Sequence, residues 1–149
     1  MPVSQRKIEN DKKKAYLKSY RECVWRVCRI EEEIKELEAA LKSVEAIRYS
    51  GMPYASGGYN DMSDDVIRLM SLIDNLKSEK KTLIESYENV KRTIESLQER
   101  NEEEVLFYRY IRGLNWWEIA EKMHYSERWI LKLHGRALEH IQLPDEKSS

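Results

Sequence analysis

Two apolar rows at alternating three- and four-residue spacing, separated by a single break, constrain this 149-residue chain more than any other feature. The first row is Tyr20, Cys23, Val27, Ile30, Ile34, Leu37, Leu41 and Val44. That spacing puts every member on one stripe of a helix and predicts continuous helix from about Lys12 to Arg48. The segment "RIEEEIKELEAALK" adds strong helix formers, with Glu31–Lys35 and Glu38–Lys42 at the favourable four-residue offset. The second row is Leu69, Ile73, Leu76, Lys80, Leu83, Tyr87, Val90, Ile94 and Leu97, with one lysine interrupting it. It predicts a second helix from Asp64 to about Arg100. Between the rows, residues 49–63 read "YSGMPYASGGYNDMS" and hold three of the five glycines beside Pro53. This is a loop by composition. Ser63 followed by Asp64 and Asp65 reads as a helix start, a hydroxyl cap and then carboxylates against the positive end of the helix dipole.

Two helices of similar length joined by one loop predict an antiparallel hairpin. Each seam is narrow and must be covered, by the other arm or by a second chain. The expectation is an all-α protein: a long, coiled-coil-like helical hairpin over residues 1–100, assembled into a homodimer or higher oligomer. Composition agrees, since a charged fraction of 36% and a mean hydropathy of -0.75 suit narrow seams better than a thick core. No apolar run approaches the roughly 20 residues that span a bilayer, and Ser4–Lys14 is too polar for a signal peptide. A cytoplasmic protein with no membrane contact is expected. Cys23 and Cys28 lie five apart on the predicted helix, hence on different faces, which disfavours a mutual disulfide or a shared metal. Both read as small buried hydrophobes.

From Glu102 the pattern shortens, and residues 101–149 form a separate predicted domain. "EEEVLFYRYIRGLNWWEIAEKMHYSERWILKLHGRALEHI" divides into three helices. The first runs from about Glu102 to Arg112 and ends at Gly113. Asn115 caps the second, from Trp116 to about Met123. His124 and Tyr125 turn, and Ser126 caps the third, from Glu127 to about Ile141, before Pro144. Two helices joined by so short a turn make a helix-turn-helix, whose second helix in DNA-binding proteins enters the major groove. Ile119, Ala120 and Met123 can face Ile130, Leu133 and Ala137. Val105, Leu106, Tyr110, Ile111, Leu114, Leu138 and Ile141 complete a small core.

Outward on the last helix remain Glu127, Arg128, Leu131, Lys132, Gly135, Arg136 and Glu139. The first turns of such a helix meet base edges, where arginine and lysine pair with guanine and glutamate accepts from cytosine. Glu127, Arg128, Leu131 and Lys132 are therefore the candidate base readers, and Arg136, a turn further on, a candidate phosphate contact. Trp129 is open to packing or to the sugar-phosphate backbone; His134 reads as a packing histidine. Charge is uneven: residues 1–50 carry 12 basic against 9 acidic residues, residues 102–149 carry 7 against 9. The basic stretch Lys12, Lys13, Lys14, Lys18, Arg21, Arg26 and Arg29 can touch DNA phosphates, or be a solvated face balanced by Glu31–Glu33. There is no phosphate-cradling glycine loop, no metal-ligand cluster and no nucleophile with a base at motif spacing. No enzyme, cofactor or metal is expected.

The segment "VLFYRYIRGLNWWEIAEKMHYSERWILKLHGRALEHI" resembles region four of bacterial sigma factors. More closely, it resembles the region-four-like carboxy-terminal domain of phage transcription activators of the RinA and ArpU type. "RYIRGLNWWEIA", "HYSER" and "HGRALEHI" carry the match, and "SGMPYASGGYNDMSDDV" between two heptad helices is similar to the amino-terminal part of those prophage proteins. In region four the helix after the Ser or Thr cap reads a promoter element, and carrying this over by position again selects Glu127, Arg128, Leu131 and Lys132. Leu131 stands where sigma factors place a polar reader, which implies contact with a thymine methyl, and Trp129 replaces a polar residue. No region-two sequence accompanies the match. The resemblance implies a sequence-specific regulator binding double-stranded DNA, an activator of phage late genes. Two alternatives stay open: a phage small terminase subunit, and a non-enzymatic interaction protein whose partner is RNA polymerase.

Overall fold

The computed structural model describes residues 3–49 and 57–144, with side chains for 3–46 and 63–144. All regular structure among the described residues is helical. Helix α1 spans Val3–Tyr49 and α2 spans Gly57–Glu95. Then come α3 at Arg100–Leu106, a π-helical turn at Phe107–Ile111, α4 at Trp116–Met123 and α5 at Glu127–His140. The part of the predicted loop holding Gly51 and Pro53 lies outside the described residues. Ser63, expected to cap the second arm, sits inside α2 instead, because nothing between Gly57 and Met62 forbids helix and no proline intervenes.

The chain divides into two compact units, residues 24–83 on one hand and residues 1–23 with 84–149 on the other. In the first unit the end of α1 and the start of α2 run antiparallel. Arg26 Nε meets Glu79 Oε2 at 3.3 Å, while Glu36 and Leu37 line one hollow with Arg68 and Leu72. Val27 and Ile34 are buried, and Ile30, Leu37, Leu41, Val44, Leu69, Ile73 and Leu76 are half-buried. These are the heptad positions, as the spacing requires. Two helices alone cannot enclose such a seam fully, which is why most of its members keep some exposure. Cys28 is exposed, contrary to expectation, since five residues beyond the buried Cys23 it has rotated off the seam.

Within the second unit α1 and α2 also meet: the Ser19 and Ser86 hydroxyls are 3.4 Å apart, and the Tyr20 and Tyr87 rings lie 5.4 Å apart, centroid to centroid. The head does not close on itself. Leu106, Tyr110, Ile111, Ala137, Leu138 and Ile141 share one core with Leu17, Val90 and Ile94 of the long helices and with Leu97 just beyond α2. The compact unit therefore crosses the sequence division at 100/101. The second arm also ends earlier than its heptads suggest. Helix α2 stops at Glu95, Ser96 Oγ donates to the Thr93 carbonyl at 2.6 Å, and the chain turns so that Leu97 is buried in the shared core. No glycine or proline marks this corner; burial of Leu97 makes it.

Candidate nucleic-acid interface

The two last helices are positioned by local chemistry at both ends of each. Asn115 Oδ1 accepts from the Glu118 backbone N–H at 3.0 Å, and Glu118 Oε1 accepts from the Asn115 N–H at 3.3 Å. This reciprocal capping box fixes where α4 begins. Gly113, just ahead of it, takes φ +71°, a left-handed conformation that costs glycine nothing. Helix α4 ends on His124 at φ 60°, with Tyr125 N–H closing back to the Ala120 carbonyl at 3.0 Å. Ser126 Oγ then accepts from Trp129 N–H at 3.2 Å and starts α5. Only three residues separate the helices, so they pack closely. Val105, Ile119, Ala120, Ile130 and Leu133 form their buried core, with Leu114, Trp116, Met123 and Trp129 packed around it.

That packing leaves one face of α5 turned to solvent. Glu127, Arg128, Leu131, Lys132 and Arg136 are all exposed, Leu131 to 49%. Leu131 is thus apolar surface on the outer side of the helix. None of the ion pairs among the described residues involves Glu127, Arg128 or Lys132. Arg136 lies over the Trp129 ring at 5.1 Å, and Trp129 itself is half-buried against the core. Glu139 approaches Arg6 at 3.8 Å. A Cβ added at Gly135 would meet nothing within 4 Å, so the face is open there as well. On α4, Trp117 in the first turn is 56% exposed. The sequence carries a signal for Trp117, since the inward placing of Ile119, Ala120 and Met123 turns it outward.

Helix α5 is held from behind. The Tyr110 hydroxyl and His134 Nε2 are 2.7 Å apart, both groups buried, and the Trp116 ring meets the imidazole edge-on. Burial pushes the Tyr110 hydroxyl up to about 12. Burial, with Lys14, Arg109 and Lys18 adding like-charge repulsion, pushes His134 down from 6.5 to about 4. At the far end of α5, Lys13 Nζ donates to the Leu138 carbonyl at 2.7 Å, occupying one of the carbonyls a helix terminus leaves unpaired. His140 Nδ1 lies 2.8 Å from the buried Glu102 carboxylate.

A pH dependence follows. The unfolded chain takes up a proton on His134 near pH 6.5, whereas the fold keeps the ring neutral down to about 4. Its contribution is thus complete above pH 6.5 and is lost as pH falls towards 4, by up to about 3 kcal/mol. Urea melts from pH 7.5 to 4 should show this slope. The His134→Gln variant should lose that part of the slope, and an unchanged slope would remove His134 from the account.

The family model described as "Protein of unknown function (DUF1492)" matches residues 51–142. No curated protein and no solved structure matches the chain. The family match spans α2, α3, the π-helical turn, α4 and α5, well over half of the sequence, and the chain belongs to this family.

Proposed function

We propose that this protein is a sequence-specific DNA-binding transcription regulator, of the kind its resemblance to RinA- and ArpU-type activators implies, acting on phage late genes. One observation carries the reading. The first turns of α5 present Glu127, Arg128, Leu131 and Lys132 to solvent with no ion pair among the described residues engaging the three charged ones, on a helix packed and hydrogen-bonded from the other side. Base readers need that combination, since side chains must reach base edges from a backbone that does not move. Double-stranded DNA is the partner. The half-buried seam of residues 24–83 supports pairing with a second copy through the arms, which would present two heads to a two-part site. The protein acts without a cofactor and is not an enzyme.

The test is selection from a pool of random duplexes by the full-length chain. Enrichment of a defined motif is expected, and a two-part motif if the protein pairs. If repeated rounds enrich no sequence, the proposal is wrong.

A further inference from the structure

The amino-terminal basic stretch is sorted by the fold. Lys14, Lys18 and Arg21 are spaced by four and three residues and so share one face of α1. Lys12 lies two residues from Lys14, on nearly the opposite face. The neighbours of this row are parts of the head. Adjacent Lys13 is bonded to the Leu138 carbonyl of α5. Lys14 and Lys18 are close enough to His134 of α5 to disfavour its charge. The Arg21 guanidinium lies against Gly113, where an added Cβ would fall 2.7 Å from Cζ. The row therefore runs antiparallel beside α5 and ends on the turn that leads into α4.

Its edge of α5 is also defined. His134 and Leu138 follow Glu127 and Leu131 at helical spacing, so the row borders the outward face on the side of those two candidate readers. Lys18 and Arg21 are exposed and Lys14 half-buried. No ion pair among the described residues uses any of the three. At about 1.5 Å of rise per residue the row extends roughly 10 Å, enough for two or three successive phosphates of one strand. Charge gives the row a purpose. Residues 102–149 carry 7 basic against 9 acidic residues, whereas residues 1–23 carry 7 against 3. The head alone is poorly suited to a polyanion, and the start of α1 reverses that.

We infer that Lys14, Lys18 and Arg21 form a phosphate-binding row that tracks the DNA backbone beside the site read by α5, making the first helix part of the DNA-binding surface. This rests on the DNA-binding reading above. It assigns the row affinity without sequence preference, because phosphate contacts are the same for every sequence.

The test uses the full-length protein and the duplex motif that it selects. The Lys14→Gln/Lys18→Gln/Arg21→Gln variant should bind that motif at least ten-fold more weakly at about 150 mM salt. The slope of log affinity against log salt should fall by roughly 2 to 3. The selected motif should stay the same. A control with Lys12→Gln/Lys91→Gln/Arg100→Gln, equal in charge but off the row, should keep most of the affinity and slope. The charge-preserving Lys14→Arg/Lys18→Arg/Arg21→Lys variant should bind like the wild type. If the glutamine variant melts early, Lys18→Gln alone, on an exposed residue, should still lower the slope by about one. A row variant matching its control, with the motif still selected, overturns this inference and leaves the reading by α5 intact. A wild type that selects no motif overturns both.

Discussion

Residues 101–149 expressed alone are expected to lose the cooperative fold they have in the whole chain. Leu106, Tyr110, Ile111, Ala137, Leu138 and Ile141 are buried against Leu17, Val90, Ile94 and Leu97, and the cut removes all four of those partners. Burying one large apolar side chain contributes about 1.5–3 kcal/mol. Four together rival the roughly 5–15 kcal/mol that holds a small domain folded. The helical capping contacts of Asn115 and Ser126 would survive the cut, so helix content should fall only partly while the sharp melt disappears. Within the full chain, Leu17→Ala should lower stability by about 2–5 kcal/mol, since Leu17 is fully buried at the centre of that core. Circular dichroism melts of both proteins check this. A sharp transition in the isolated segment at the wild-type temperature would show that the head is independent after all.

The second large effect concerns binding. Arg128→Ala should lower affinity for the selected duplex by about 1–3 kcal/mol and relax preference at one or two positions, the signature of a lost contact to a base edge. Arg136→Ala should weaken all duplexes alike and lower the salt slope by about one. Arg136 lies two turns further along α5, over Trp129, where a guanidinium can reach a phosphate. Binding by both variants to the selected and to unrelated duplexes separates the roles. Equal loss of preference from both would contradict this assignment.

The helices were legible in the sequence for a simple reason: their seams repeat at the period of the structure they form. Every apolar member of both rows is buried or half-buried, and Lys80, the one charged member, is the one exposed. The capping residues Asn115 and Ser126 were legible too, because their hydroxyl or amide oxygens satisfy donors that any helix start leaves open. The corner at residues 96–99 was not, since it carries no breaker and is imposed by the burial of Leu97. Leu17 was missed because it lies one turn before the first heptad row begins and serves the head rather than the arm. For the same reason the head read as separate: a division by pattern cannot see a core shared with Val90, Ile94 and Leu97 and completed by Leu17, more than eighty positions before it. The outward face of α5 followed from its periodicity. The row from Lys14 to Arg21 beside it needed the packing.

The central claim is that the start of α5 reads DNA sequence, and the most direct test is a ratio. The full-length protein is titrated with its selected duplex and with a scrambled duplex of the same length and composition, at about 150 mM salt. The account predicts at least about a thousand-fold preference for the selected duplex, reduced by Arg128→Ala. Equal affinity for the two duplexes would contradict it.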